Sequence, residues 1–216
     1  MMQRMHGLSP AEFAVRFGVP LSFAGALGTI LAGVVTERLT RRSIRWIAGL
    51  PAILLVLAVP LYVLGLLQPT AELDRAFGFW FFAWLFHYGY LGAQYTIGQG
   101  VVSMRVRATA TAVLLFIANL IGYGFGPLFI GFISDVFFVS GVAELGVAAE
   151  ELARNQCHPR AIGGLSENLQ NVCGAVYAQS LQSAMVIMSV LYAASALFFL
   201  LTWRHLAKDM VDRNAP

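Results

Sequence analysis

Polar positions along this chain are sparse and gathered into short runs. Between them lie five long apolar segments, residues 11–35, 46–67, 77–103, 108–138 and 182–203. Each reaches the length of about 20 predominantly apolar residues that crosses a hydrocarbon core roughly 30 Å thick at about 1.5 Å per residue. The run LPAILLVLAVPLYVLGLL at 50–67 has none of the alternation of a membrane-spanning strand. The pattern therefore predicts an all-α integral membrane protein with five transmembrane helices. Composition agrees, with 58% hydrophobic and 12% charged residues, where a soluble domain carries about 25% charge. A soluble fold of 216 residues has no core large enough to hide five such segments.

The opening stretch MMQRMHGLSPAEF lacks the basic, apolar and small-residue order of a signal peptide. It predicts a helix start instead, with Ser9 as N-cap, Pro10 at the first helical position and Glu12 at the third. Orientation follows from arginines in the short connections. Arg38, Arg41, Arg42 and Arg45 follow the first span, Arg105 and Arg107 follow the third, and Arg204, Lys208 and Arg213 follow the fifth. The connection after the second span holds only Arg75, beside Glu72 and Asp74. The expected topology is multi-pass in the cell membrane (the inner membrane if the source is bacterial), with the N-terminus outside and the C-terminus cytoplasmic. The net charge of +3 then describes a cytoplasmic collar, not a nucleic-acid-binding surface.

Three regions are expected: a membrane domain of four spans at 1–138, an extracytoplasmic loop at 139–181, and the fifth span with a cytoplasmic tail at 182–216. The loop differs in composition, with Glu144, Glu150, Glu151, Arg154, Arg160 and Glu167 among small residues, and 142–153 has the pattern of a short amphipathic helix. Cys157 and Cys173 both fall in it, on the oxidising side, where a disulfide is expected. Metal binding by Cys157, His158 and Cys173 matches no zinc-ligand spacing. No metal site and no cofactor are expected.

Small and polar residues within the spans mark helix contacts and candidate sites. Gly25, Thr29 and Gly33 recur every four residues on the first span. Gly122, Gly126, Pro127 and Gly131 give the fourth span a close-packing face with an interrupted helix ladder, read either as packing or as a hinge. On the third span, His87, Gln94 and Gly98 fall on one helical face and Tyr88, Tyr95 and Gln99 on the next. That face either lines a cavity or supplies interhelical hydrogen bonds and interfacial tyrosines. Asn119, midway along the fourth span, either pairs with a neighbouring helix or faces water. His87, Gln94, Tyr95 and Asn119 are the candidate substrate path. No carboxylate lies mid-span, so His87 is the one intramembrane group with the chemistry of a proton relay. The aromatics from Phe77 to Phe86 read as an interfacial belt. There is no paired His and Glu motif, no nucleophile elbow and no phosphate loop, so neither an enzyme nor an ATP-driven pump is indicated.

The segment Gly33-Val-Val-Thr-Glu37-Arg38-Leu-Thr-Arg41-Arg42 resembles the signature loop of the major facilitator superfamily, departing where Thr40 stands in place of a common glycine. Arg107-Ala-Thr-Ala-Thr-Ala, followed by Asn119-Leu-Ile-Gly122-Tyr-Gly-Phe-Gly126-Pro127 and Gly131-Phe-Ile-Ser134-Asp135, looks like the eleventh helix of its spinster-like branch. The resemblance implies the eighth to twelfth helices of a twelve-helix secondary transporter working by alternating access, with Gly33, Glu37, Arg38, Arg41 and Arg42 as a cytoplasmic latch. It associates the branch with lysolipids and sphingoid lipids, hence a small or amphipathic cargo. It also implies a partner beyond the bilayer and the cargo, an N-terminal half that makes this chain a C-terminal fragment, or else a second copy. The first-span glycine stripe is expected to face that half. The alternative is a non-transporting membrane scaffold.

Overall fold

A computed structural model of the chain describes residues 9–69, 72–144 and 167–210. Among the described residues there is no strand. The chain enters through Pro10–Phe13 and a π-helical turn, Ala14–Gly18, into α1 (Val19–Thr40). Next come α2 (Trp46–Leu66), α3 (Leu73–His87), α4 (Tyr90–Gly100) and α5 (Arg107–Ala118). A second π segment, Asn119–Phe125, leads into α6 (Gly126–Glu144), and α7 spans Glu167–Asp209. Four helical stretches are long and apolar enough to cross a membrane unbroken. The third predicted span is the exception, because it divides at Tyr88–Gly89 into α3 and α4.

The predicted start is formed as a reciprocal cap. The Ser9 N–H donates to Glu12 Oε2 at 2.9 Å and the Glu12 N–H donates to Ser9 Oγ at 3.2 Å. Ser9→Ala is expected to speed amide exchange at Glu12 roughly fivefold, measured by mass spectrometry in detergent.

Both π segments have one cause. A proline inside a helix lacks an N–H and its ring crowds the carbonyl four residues back. Pro20 and Pro127 each stand two residues beyond the end of a π segment. The widened turn moves the crowded carbonyl aside. The ladder closes over five residues instead, from the Val19 N–H to the Ala14 carbonyl and from the Gly126 N–H to the Ile121 carbonyl. The interruption expected at Pro127 thus falls in the turn before it, and α6 runs on unbroken from Gly126.

Packing centres on α2, which lies against α7, α3, α4 and α1. Three apolar clusters hold the bundle. At one end Leu21, Leu66, Ala76 and Trp80 pack with Met185 and Val186, and at the other Ile47, Ala48, Ala93 and Leu206 pack with Ile97 and Phe199. Phe17 is enclosed beside Phe13 and Phe77, with ring centroids at 5.8 and 5.1 Å. The Arg16–Asp74 pair next to it, at 3.1 Å, is solvated and adds little.

The third cluster corrects the expected loop at 139–181. Residues 139–144 are the end of α6 and 167–181 the beginning of α7. Phe138 and Val142 close on Cys173, Val176 and Tyr177. The helices outrun their membrane-spanning parts because these apolar residues cover one another. Ser134 and Ser180 add a buried hydroxyl pair at 3.4 Å. Cys173 is buried and disulfide-bonded. Cys157, His158 and residues 145–153 of the expected amphipathic helix lie outside the described residues.

A candidate site at the broken third span

The break between α3 and α4 is made by its neighbours. Tyr88 and Gly89 both keep right-handed backbone angles, with φ of −67° and −60°. The Thr29 hydroxyl lies 3.2 Å from the Tyr88 carbonyl and 3.0 Å from the Gly25 carbonyl, serving one or the other as donor. Close approach needs glycine on both sides. A Cβ at Gly25 would lie 3.1 Å from the Tyr88 ring, one at Gly28 would overlap the Leu85 carbonyl, and one at Gly89 would meet Leu54 at 2.6 Å and Ala32 at 3.0 Å. The small-residue stripe of the first span therefore packs against α3 within this bundle, not against an outside half as expected. Gly33 alone has open space before it.

Gln94 lies on α4, whereas α3 ends at His87. The His87 ring enters a pocket between α2, α3 and α7. His87 Nδ1 and the Tyr62 hydroxyl are 2.9 Å apart. The His87 ring lies 4.5 Å from Tyr192, 5.2 Å from Tyr88 and 5.4 Å from Tyr90, centroid to centroid. Tyr62 stacks on Tyr192 at 5.1 Å and Trp84 on Tyr88 at 5.1 Å. If the Tyr62 hydroxyl donates, His87 Nδ1 accepts and the ring proton sits on Nε2. This is an interhelical cross-link of three helices.

Tyr123, on the second π segment, lies near Tyr88 and Tyr90 and is 82% exposed. Gln94 and Tyr95 are half-buried on α4. Gln99 donates to the Thr111 hydroxyl at 3.0 Å, tying α4 to α5. Asn119 is exposed, and its side-chain N–H donates to the Leu115 carbonyl one turn back at 2.7 Å. The site therefore has two parts, a part-buried cluster around His87 and an open face of Gln94, Tyr95 and Tyr123, with Tyr88 and Tyr90, stacked on His87, bordering both.

The open face borders a span with little company. The most apolar stretch within Met104–Ala143 has no buried residue. A Cβ at Gly122 or Gly131 would meet nothing within 4 Å, and at Gly126 only its own helix's carbonyl. At the arginine-rich end, Glu37 and Arg41 pair at 3.4 Å one helical turn apart, and Thr40 donates to the Glu37 carbonyl at 2.9 Å. Glu37 and Arg38 are thus the last turn of α1, while Arg41 and Arg42 begin the connection to α2.

Sequence reasoning missed Tyr62, Tyr192 and Tyr123. Tyr62 and Tyr192 stand among aliphatic neighbours and Tyr123 between two glycines, and a lone tyrosine in such a setting was the available signal.

No family model matches the chain. It is 30% identical over 136 residues to an MFS-type efflux pump of Mycolicibacterium smegmatis, covering 62% of this chain and 30% of that protein. A solved bacterial homologue of the human lysosomal transporter Spinster, inward-facing and unoccupied, superposes with a TM-score of 0.82 at 36% identity. The match covers 98% of this chain and 44% of that one. The chain is a spinster-like member of the major facilitator superfamily. An inward-facing, occupied form of the same kind of protein matches with the same score and identity over 45% of its length. The spinster-like chain thus spans less than half the length of the relatives it matches, and those relatives are transporters, not enzymes.

Proposed function

We propose that this chain supplies one side of a secondary transporter, moving a small or amphipathic solute by alternating access. The open face beside the broken third span carries the reading. Tyr88, Tyr90, Tyr95 and Tyr123 offer aromatic planes with hydroxyls at their edges and Gln94 adds an amide, a lining suited to a cargo with an apolar body and a polar head. The uncovered fourth span flanks that face, as a second bundle closing over it requires. That bundle corresponds to the N-terminal half of spinster-like proteins, and the helices here then correspond to the eighth to twelfth. Glu37, Arg38, Arg41 and Arg42 form a latch at the arginine-rich end, with the Glu37–Arg41 pair opening to exchange partners when the halves meet. Gly122, Gly126 and Pro127 around the second π segment make the fourth span the pliable wall of the path.

The test is efflux of a fluorescent lysophospholipid from vesicles holding this chain together with an N-terminal spinster-like half. Tyr123→Ala and Gln94→Ala are expected to slow efflux at least tenfold each with the complex intact. Unchanged efflux in both would overturn the assignment of this face. An intact complex that moves nothing would favour a scaffold.

A further inference from the structure

Trp46, the first residue of α2, and Trp203, near the end of α7, meet at the arginine-rich end of the bundle with ring centroids 5.9 Å apart. Gly49 makes the meeting possible: a Cβ there would lie 3.3 Å from the Trp46 ring and 3.4 Å from Trp203 Nε1. Ile47 and Ala48, next in sequence to Trp46, are buried with Ala93 and with Leu206 of α7, so the two helices that carry the indoles are packed together at this corner. Trp203 keeps 37% of its surface exposed.

Cations flank both rings. Arg45 precedes Trp46 and Arg204 follows Trp203, while Arg42 and Lys208 each lie about a turn further out. All four are exposed, and no carboxylate among the described residues lies within ion-pair distance of them, whereas nearby Arg41 is paired with Glu37. The first amides of α2 are already engaged: those of Trp46, Ile47 and Ala48 donate to the carbonyls of Ser43, Ile44 and Arg45. An anion at this corner is therefore held by side chains.

From this juxtaposition we infer an anionic phospholipid site at the α2–α7 corner, with the phosphate held by Arg45 and Arg204 and the glycerol and upper acyl chains laid on the paired indoles. Tryptophan prefers this depth of the bilayer, at the headgroup level. Arginine recognises phosphate through its planar fork. Exposed basic residues at a membrane surface draw acidic lipid over a short range. A free phosphate would use the arginines alone and leave the indoles without a role. The site does not depend on the transport reading.

The test uses the full chain purified in a nonionic detergent, with phosphatidylglycerol and phosphatidylcholine added in equal amounts and retained lipid counted by native mass spectrometry. Phosphatidylglycerol is expected to be preferred. R45Q and R204Q are each expected to weaken its retention roughly fivefold and the pair of changes about 25-fold, while R105Q, removing one charge elsewhere, leaves it unchanged. Inorganic phosphate at millimolar concentration is expected not to displace the lipid. Equal retention of the two lipids, equal loss with R105Q, or displacement by phosphate would each overturn the proposal. A second readout needs no altered arginine. Phosphatidylglycerol brominated near the headgroup is expected to quench tryptophan emission, with the quenched component lost in W203F. Quenching that persists undiminished in W203F overturns the site.

Discussion

His87→Ala is expected to cost about 2 to 3 kcal/mol, the lower part of the range for emptying a large side-chain site, because the ring is part-buried. Tyr62→Phe is expected to cost about 1 kcal/mol, because it leaves a part-buried ring nitrogen without its partner. The measurement is unfolding in mixed detergent micelles followed by tryptophan emission, for which Trp84, stacked on Tyr88, is a local reporter. The double change should cost clearly less than the sum, since the 2.9 Å contact joins the two side chains directly. Additive costs would mean that the two rings fill space independently. In the complex with an N-terminal half, Tyr62→Phe is expected to slow transport far less than Tyr123→Ala. Its partners, His87 and Tyr192, pack between helices of this bundle.

Gly28→Ala is expected to be about as damaging, by roughly 3 kcal/mol or more, although it adds a single methyl group. The methyl would overlap the Leu85 carbonyl. Backbone cannot swing aside as a side-chain tip can, so α1 and α3 must separate along the interface that also holds the Thr29 contact to Tyr88. Gly122→Ala and Gly131→Ala, with open space before them, are expected to be neutral when the chain is alone. Comparing all three variants in one unfolding assay separates helix propensity, which favours alanine everywhere, from close approach, which forbids it at Gly28.

These contrasts mark what the sequence could and could not reveal. Span number and position were legible because lipid imposes one coarse rule on every segment, enough apolar residues to cross. The helix start at Ser9 was legible because capping is local chemistry. The division at Tyr88–Gly89 was not. HYGYLGAQY reads as one continuous face, and the agents that interrupt it, Thr29, Ala32 and Leu54, belong to other helices. With the interruption, His87 and Gln94 lie on separate helices. Asn119 is a related case. Its exposed amide also reaches the carbonyl one turn back, a local bond that periodicity does not register. The end of the expected loop at 181 was drawn where polarity falls, whereas α7 begins earlier through contacts with α6 that hydropathy does not register.

At about 1.5 Å per residue, the 43 residues of α7 extend for about 64 Å, roughly twice the hydrocarbon thickness. One helix thus answers to two solvents. Beside Trp203 it is held as lipid allows, by shape and close contact, because leaving lipid for protein brings an aliphatic side chain no gain. Around Cys173 and Tyr177 it projects far enough to meet water, and there burial of apolar surface is itself the driving force. Urea, which weakens burial from water, will loosen the Cys173 end first, while a change of lipid will be felt first at the tryptophans.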